Sequence, residues 1–261
     1  MKSRNRSCAL RPGGKLRVVN AARHVDPILT CLGISLDLGG REVLRDIGFD
    51  LKPGEVLGII GPNGAGKTSL LEILSGRYRP KTGAVTYKGR NITALPLFER
   101  ARLGIGRTYQ TPIVPEDLTV GETFKAARQA FRPWLTRFDA EYGAQLVHFT
   151  TTYDTPASNL KTFERRKLLM ASLLMRQPQV LLMDEPAAGL INAEIDEIDR
   201  ILRMLSKEMN TAVLIVEHRI ELLESIADRV IVMDAGEIIA RGELADIIND
   251  PAVRAAYFEG P

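Results

Sequence analysis

The pattern of apolar and polar positions predicts two kinds of β-strand in this chain. From residue 28 onward, ILTCLGISLDL and EVLRDIGFDL alternate apolar with polar residues, and the pair Gly39 and Gly40 separates them. This pattern is typical of two antiparallel strands joined by a turn. Farther along, EVLGII, VLLMD and TAVLIV are short and continuously apolar. Such runs are typical of parallel strands that are covered on both faces.

Helical patterns alternate with these apolar runs. The residues after Lys67 have helical spacing up to Gly76, and AEIDEIDRILRMLSKEM separates the last two runs. This alternation predicts an α/β fold with a mainly parallel sheet flanked by helices. The stretch from about 112 to 160 contains no such strand, whereas TVGETFKAARQAF and AEYGAQLVHFTTTY are helical in pattern. We therefore predict an N-terminal antiparallel β subdomain and a helical subdomain inserted at about 112–175.

Composition is that of an ordinary globular protein, with 261 residues, 45% hydrophobic and 26% charged. The net charge of +3 gives no indication of a nucleic-acid partner. The two cysteines, Cys8 and Cys31, lie outside any Cys/His cluster, so neither a zinc site nor a disulfide framework is predicted. Because no spanning apolar run or signal peptide is evident, we expect a cytosolic chain unless a partner holds it at a membrane.

Residues 1–26 carry seven basic residues against one acid, Asp26, and include Pro12, Gly13 and Gly14. This composition predicts a basic, mobile tail ahead of a domain at 27–261. A solvated extension is the favoured interpretation, and a contact with a membrane surface or a partner is the alternative.

A glycine-rich segment at residues 61–69, GPNGAGKTS, matches the phosphate-loop pattern G-x-x-x-x-G-K-S/T between a predicted strand and a predicted helix. The glycines let backbone N–H groups point at phosphate oxygens, Lys67 adds a point charge, and Thr68 offers a hydroxyl to Mg²⁺. The sequence thus predicts a P-loop NTPase. The residues expected to bind nucleotide here are Gly61, Pro62, Asn63, Gly64, Ala65, Gly66, Lys67, Thr68 and Ser69.

Polar residues follow two of the apolar runs. VLLMDEP places Asp184 at the carboxyl edge of the predicted sheet, where it would lie beside Mg²⁺. Glu185 would then be close enough to the γ-phosphate to orient and deprotonate a water molecule. His218 ends LIVEH, where a histidine could contact the γ-phosphate. An isolated Asp-Glu pair or strand-end histidine is often structural, and the company of the phosphate loop favours the functional interpretation.

Together these motifs make residues 28–261 resemble the ATP-binding subunits of ABC transporters. GPNGAGKTS corresponds to Walker A, Gln110 of GIGRTYQ to the lid glutamine, VLLMDEP to Walker B and His218 to the switch histidine. Within that family, GRTYQ, DEPAAGL, VEH and NDPAVRAAYFEG are most similar to ATPase subunits of importers for branched-chain amino acids and related amides.

The resemblance implies ATP and Mg²⁺ as cofactors and ATP hydrolysis as the reaction. It also implies a head-to-tail pair of ATPase subunits, peripheral on the cytoplasmic side of the inner membrane, beneath two transmembrane permease subunits served by a solute-binding protein. Catalytic roles would fall to Glu185, His218, Gln110 and Lys67. Metal contacts would fall to Thr68, Gln110 and Asp184.

The chain departs from the family at the signature, near Leu-Ser-Gly-Gly-Gln, which one subunit lends to the site of its partner. In SNLKTFERRK, Lys161 stands at the signature serine and Phe163 is assigned to the first glycine. Losing a hydroxyl and an N–H contact to phosphate would cost about 3 to 6 kcal/mol. An ammonium at Lys161 could still bind phosphate as a point charge. The basic run that follows, Arg165, Arg166 and Lys167, either assists in binding phosphate or forms a solvated helix face, and the solvated face is favoured.

Two other positions are unusual for the family. Leu38 replaces the aromatic residue that stacks on adenine, which predicts weaker nucleotide binding. Ile191 replaces a polar residue that reaches across the dimer.

The favoured hypothesis is an importer ATPase that pairs with a different, signature-competent subunit. A lipopolysaccharide-export ATPase and a non-transport regulatory ATP-binding module are the alternatives.

Overall fold

The computed structural model describes residues 25–250 and Val253. The predicted basic tail, apart from its last two residues, and most of the NDPAVRAAYFEG segment lie outside the described residues.

Ten strands and eight α-helices make up this part of the chain. The strands are β1 Leu29–Leu38, β2 Arg41–Leu51, β3 Val56–Ile60, β4 Thr82–Tyr87, β5 Arg90–Asn91, β6 Ile105–Arg107, β7 Val180–Asp184, β8 Ala212–Val216, β9 Arg229–Asp234 and β10 Glu237–Gly242. The helices are α1 Lys67–Ser75, α2 Leu97–Leu103, α3 Val120–Gln129, α4 Arg137–Leu146, α5 Thr162–Leu174, α6 Asn192–Arg203, α7 Ile220–Ile226 and α8 Leu244–Ile248.

The N-terminal sheet is antiparallel, with the order β2-β1-β4-β5. Strands β1 and β2 form the predicted hairpin around Gly39 and Gly40, and their inward residues are buried at every other position over much of their length. That alternation explains the apolar and polar pattern of the sequence, because successive side chains of a strand point to opposite faces.

The second sheet has the order β10-β9-β3-β8-β7-β6, and all of its pairs are parallel except β10 with β9. Every residue of β3, β7 and β8 is buried, which explains why these strands are continuously apolar in sequence. The carboxyl ends of the same three strands lead into the segments that carry the candidate site. The predicted α/β fold with a mainly parallel sheet is therefore confirmed.

Helices α3, α4 and α5 form an insertion between β6 and β7. They pack around aromatic side chains: the rings of Phe124 and Phe149 meet edge to face with centroids 6.0 Å apart, and Tyr153 lies 5.6 Å from Phe124. The prediction of a helix throughout AEYGAQLVHFTTTY was wrong beyond Leu146, where α4 ends. His148 has a φ of 48°, and the β-branched residues at 150–152 that follow do not favour a helix.

Two apolar cores hold the parts together. One lies between the parallel sheet and the helices of the insertion, with α6 and α7, and the other between the parallel sheet, α1 and the antiparallel sheet. No helix within the described ranges has the length and hydropathy required to cross a bilayer.

Candidate functional site

The glycine-rich loop connects the end of β3 to the beginning of α1. Gly61 has a φ of 150°, and a Cβ there would lie 2.0 Å from the carbonyl oxygen of Met233. Gly66 has a φ of 96°, and a Cβ there would lie 2.6 Å from Leu44 Cδ2. Side chains at these two positions would therefore collide with the surrounding chain, which explains the glycines on steric grounds.

Lys67 begins α1, and its side chain turns back into the loop. It is only 6% exposed, and Nζ donates hydrogen bonds to the carbonyl oxygens of Gly61 at 2.6 Å and Pro62 at 2.9 Å. Burial lowers the pKa of the Lys67 ammonium, while the negative charges of Glu185 and Asp184 oppose that shift. The ammonium thus lies beside the loop backbone and near both carboxylates.

A cavity of about 350 Å³ opens above this loop. Its walls include residues 63–69, Glu185 and four residues that the sequence did not identify, namely Arg41, Glu42, Val43 and Ala235. The predicted adenine contact, Leu38, is 39% exposed and does not line this cavity. Its hairpin partner Arg41 does line it, so the pairing of β1 with β2 brings a guanidinium rather than an aromatic ring to this wall.

Asp184 ends β7 and is 5% exposed. Burial raises the pKa of its carboxyl, while the positive charge of Arg107 and a hydrogen bond with the Thr68 side chain lower it. Arg107 Nη2 lies 3.7 Å from Asp184 Oδ2, and its guanidinium also contacts Glu72 of α1 at 2.9 Å. The sequence did not identify Arg107, although it lies in the GRTYQ segment. Thr68 and Asp184 together offer a hydroxyl and a carboxylate, which are oxygen ligands suited to a hard divalent cation.

Three residues predicted to be catalytic meet at Glu185, immediately after β7. Gln110 Nε2 donates a hydrogen bond to Glu185 Oε2 at 2.7 Å. His218 Nε2 lies 3.1 Å from Glu185 Oε1. Glu185 itself has a φ of 46°, and its backbone N–H donates to the carbonyl oxygen of Val216 on β8 at 2.9 Å. The glutamate is thus oriented from two sides, and its oxygens retain acceptor sites for a water molecule.

The predicted signature stands where α5 begins. Counted from Leu160, Thr162 takes the place of the first glycine and Phe163 that of the second, which corrects the assignment made from sequence. Lys161 is exposed just before the helix, and its backbone N–H donates to Glu164 Oε2 at 2.9 Å. Phe163 packs partly against the core of the insertion, with Lys167 Nζ 5.2 Å from its ring centroid.

The interpretation of Arg165, Arg166 and Lys167 as a solvated helix face was wrong. Arg166 is 6% exposed and donates to backbone carbonyl oxygens. Arg165 donates to Leu160 O at 2.9 Å and pairs with a glutamate at 3.0 Å, and Lys167 Nζ lies 2.7 Å from a second one. All three cations therefore have partners within the protein, on neighbouring loops for Arg165 and Arg166 and on α6 for Lys167.

Ile191 lies immediately before α6 and is 67% exposed. Its backbone N–H donates to Glu194 Oε2 at 3.1 Å, which closes the first turn of the helix. The apolar side chain itself is directed to the surface.

Comparisons with known proteins agree with this arrangement. The model of the ABC transporter family matches residues 44–188. The high-affinity branched-chain amino acid transport ATP-binding protein LivG of Salmonella typhimurium is 32% identical over 257 residues, covering 88% of this chain and 97% of that protein. The lipopolysaccharide export system ATP-binding protein LptB of Acidithiobacillus ferridurans is 33% identical over 219 residues, covering 83% and 90%.

Solved structures give the same result. An ATP-binding cassette of an ABC transporter in its ADP conformation is 26% identical, with a TM-score of 0.80, and covers 90% of this chain and all of the other. A nucleotide-free cassette from an ABC transporter is 25% identical, also with a TM-score of 0.80. The resemblance found in the sequence is confirmed: the chain belongs to the ABC transporter family and is one of its ATP-binding, ATP-hydrolysing subunits.

Proposed function

We propose that this subunit powers the import of branched-chain amino acids or similar small polar solutes across the inner membrane. It would lie on the cytoplasmic side beneath two permease subunits, with a solute-binding protein delivering the substrate. The observation that carries the proposal is the contact of Glu185 with both Gln110 and His218 beside an intact phosphate loop. Similarity to LivG supports the choice of solute class.

The site would act on ATP bound with Mg²⁺. Backbone N–H groups of the loop and the ammonium of Lys67 would hold the phosphates, because a helix N-terminus and a lysine both favour negative charge. Thr68, Asp184 and Gln110 would hold the metal, which neutralises charge on the phosphates when it is bound. Glu185 would orient the attacking water and accept its proton, and His218 would keep the carboxylate in place. The adjacent hydroxyl and carboxylate of Thr68 and Asp184 fit this assignment.

A heterodimer is favoured because this chain has an intact phosphate loop and Walker B segment but an altered signature. The phosphate loop and Glu185 have the residues that hydrolysis requires, whereas the signature has Lys161 and Phe163. In a homodimer both sites would receive that signature and lose phosphate contacts worth about 3 to 6 kcal/mol, or on the order of two to four decades in rate. A partner with an intact signature would complete the site of this chain.

Lys161 is the cation best placed to replace the lost serine contact. Of the four basic side chains at 161–167, three are engaged by neighbouring groups, while that of Lys161 is exposed at the beginning of α5. Its charge adds to the positive end of the helix, which favours an anion there. The first-turn carboxylate of Glu164 opposes this effect, so the contact would be weaker than that of an intact signature.

An asymmetry experiment tests the proposal. The complex is purified from membranes through a tag on this chain, and the second ATPase is identified. Glu185→Gln should lower turnover by at least ~100-fold, because a general base is lost. The matching substitution in the partner should have a much smaller effect, because that site is slow already. Equal effects of the two substitutions would overturn the heterodimer. So would a purified complex that contains this chain as its only ATPase subunit and still has full turnover.

Lys161→Ala tests the replacement contact in the same complex. It should weaken ATP binding at the partner's phosphate loop, measured with the partner's Glu→Gln variant so that ATP is not consumed. Lys125→Ala removes another exposed lysine of the helical insertion and should leave binding unchanged. Unchanged binding with Lys161→Ala would remove this residue from the site.

Two alternatives have specific support or a specific test. Identity of 33% to LptB favours lipopolysaccharide export as a second candidate. Uptake of labelled leucine that is lost in cells carrying Glu185→Gln would support the importer, whereas normal uptake with a defect in lipopolysaccharide export would support the second candidate. Normal transport of both kinds in those cells would instead favour a regulatory ATP-binding module.

A further inference from the structure

The segment 185–188 forms the turn that follows β7 and carries the carboxylate of Glu185. Within this turn, the N–H of Ala188 donates to the carbonyl oxygen of Glu185 at 3.1 Å. Glu185 has a φ of 46°, in the left-handed region that a residue with a side chain seldom occupies. A conformation of this kind persists only where the surroundings support it. The contacts that support this turn come from two sides, α5 and the end of β8.

Arg166 holds the turn from the side of α5. Its guanidinium is buried, and Nη1 donates to the carbonyl oxygen of Glu185 at 3.4 Å. Nη2 donates to the carbonyl oxygens of Ala188 and Gln110, both at 3.2 Å. One side chain therefore joins both ends of the turn to the loop that carries Gln110.

Glu217 holds the same turn from the side of β8. It is 2% exposed, and Oε1 accepts a hydrogen bond from the N–H of Ala187 at 2.7 Å. Oε2 accepts from the N–H groups of His218 at 3.1 Å and Arg219 at 3.4 Å. The carboxylate thus fastens the middle of the turn to the segment that carries His218.

These two residues are buried charges of opposite sign. Burial lowers the pKa of Arg166, and the negative charge of Glu217 partly offsets that shift. Burial also raises the pKa of Glu217, and its three backbone N–H donors oppose the shift. Replacing either residue would leave the other charge buried with fewer compensating groups, which is costly in a protein interior.

We propose that Arg166 and Glu217 are positioning residues that clamp the turn at 185–188 from its two sides. Through that turn they keep the Glu185 carboxylate between Gln110 and His218. Arg166 lies on α5, the helix that begins at the signature. The clamp therefore also connects the signature, which this chain would lend to its partner, with the turn that carries Glu185 in its own site. The inference rests on the proposed roles of Glu185 and His218 in hydrolysis.

The test compares Arg166→Lys, Glu217→Gln and the double variant in the purified complex. A single ammonium cannot span the three carbonyl oxygens, two on the turn and one on the Gln110 loop, and an amide cannot accept hydrogen bonds on both of its ends. Because a misplacement of about 1 Å can cost on the order of a hundredfold in rate, each single variant should lower kcat by ~10- to 100-fold. The dissociation constant for ATP should stay within about twofold. If both act through one turn, the double variant should lose far less than the product of the two single effects.

Arg100→Lys is the matched control. Arg100 is also a buried arginine that donates only to backbone carbonyl oxygens, but it belongs to α2 and contacts the carboxyl end of α1, away from the turn at 185–188. Its variant should lower Tm while leaving kcat unchanged well below that temperature. Hydrogen exchange of amides 187–190 in the isolated chain should accelerate in Glu217→Gln and not in Arg100→Lys.

The outcomes distinguish a failure of the proposed function from a failure of the clamp. If Glu185→Gln keeps its turnover, the proposed function fails. If Glu185→Gln is inactive while Arg166→Lys and Glu217→Gln keep full kcat or change only Tm, the clamp alone fails. Should Arg166→Lys not fold, kcat and hydrogen exchange of Glu217→Gln still decide, and unchanged values of both would overturn the clamp.

Discussion

Gln110 and Glu185 are 75 positions apart in the chain, yet Gln110 Nε2 donates a 2.7 Å hydrogen bond to Glu185 Oε2. The other carboxylate oxygen lies 3.1 Å from His218 Nε2. Segments that follow β6, β7 and β8 each contribute one member of this group. The orientation of Glu185 therefore depends on the register of three neighbouring parallel strands rather than on any local sequence.

Glu185→Gln should abolish hydrolysis without preventing ATP binding. The amide cannot accept a proton from water, and loss of a general base typically costs 10²- to 10⁴-fold, so we expect a fall in kcat of at least ~100-fold. The dissociation constant for ATP should change little, because the loop at 61–68, which would hold the phosphates, is unaltered in this variant. Phosphate release and nucleotide binding, measured on the same preparation, check this. Glu224→Gln, on the exposed surface of α7, should behave as the unchanged chain does.

Asp184→Asn should remove the dependence of ATP binding on Mg²⁺. In the unchanged chain, ATP with Mg²⁺ should raise Tm more than ATP with EDTA, because tighter binding to the folded state adds stability. In the variant the two conditions should give the same Tm. Asp196→Asn, an exposed position on α6, is the control and should retain the difference. A persisting Mg²⁺ effect in Asp184→Asn would exclude this carboxylate as a metal ligand.

Much of the fold could be predicted because the sequence records burial directly. Strands β1 and β2 alternate apolar with polar residues because one face of each strand is exposed. Strands β3, β7 and β8 are continuously apolar because both of their faces are buried. The phosphate loop is equally local, because its glycines are required by backbone conformation within a few residues. The end of α4 at Leu146 was missed, because helical spacing of apolar residues continues past the point where the backbone leaves the helix.

The supporting groups of the site could not be predicted in the same way. Arg107, Arg166 and Glu217 contact segments far away in sequence, and a charged residue on a predicted helix or strand end is usually at the surface. The sequence offered no local sign that Arg166 is buried under the turn at 185–188. Likewise, Arg41 lines the cavity above the phosphate loop, and no motif in the sequence marks it.

Leu38→Tyr should strengthen nucleotide binding. Leu38 is exposed at the end of β1, where the family has an aromatic residue, and stacking adds about 0.5 to 1.5 kcal/mol beyond simple burial. That range corresponds to a ~2- to 12-fold lower dissociation constant for ATP. Leu32→Tyr is the matched control, because Leu32 is exposed on the same strand but pairs with Ala84 of β4, whereas Leu38 pairs with Arg41 at the edge of the cavity. Equal binding by both variants would show that adenine does not approach position 38.

Arg100 connects α1 to α2 from inside the protein. Its side chain is 1% exposed and donates to the carbonyl oxygens of Ile73 at 2.8 Å and Leu74 at 2.9 Å, in the last turn of α1. It also donates to those of Leu95 and Thr93, both at 3.0 Å. Burial lowers the pKa of the guanidinium to about 10, and the group stays charged at neutral pH. A cation at the end of a helix is favoured by the helix dipole.

Arg100→Met should destabilise the protein strongly without reaching the nucleotide site. The four carbonyl oxygens would lose a charged donor inside the protein, so we expect the free energy of unfolding to fall by about 3 to 4 kcal/mol. Arg79→Met, which changes an exposed arginine in the same way, should stay within about 0.5 kcal/mol. Urea unfolding of both variants measures the difference, provided that the free energy of unfolding falls with urea concentration at the same slope in both. Similar midpoints for the two variants would mean that solvent replaces the Arg100 guanidinium at these carbonyls, and that the end of α1 does not depend on it.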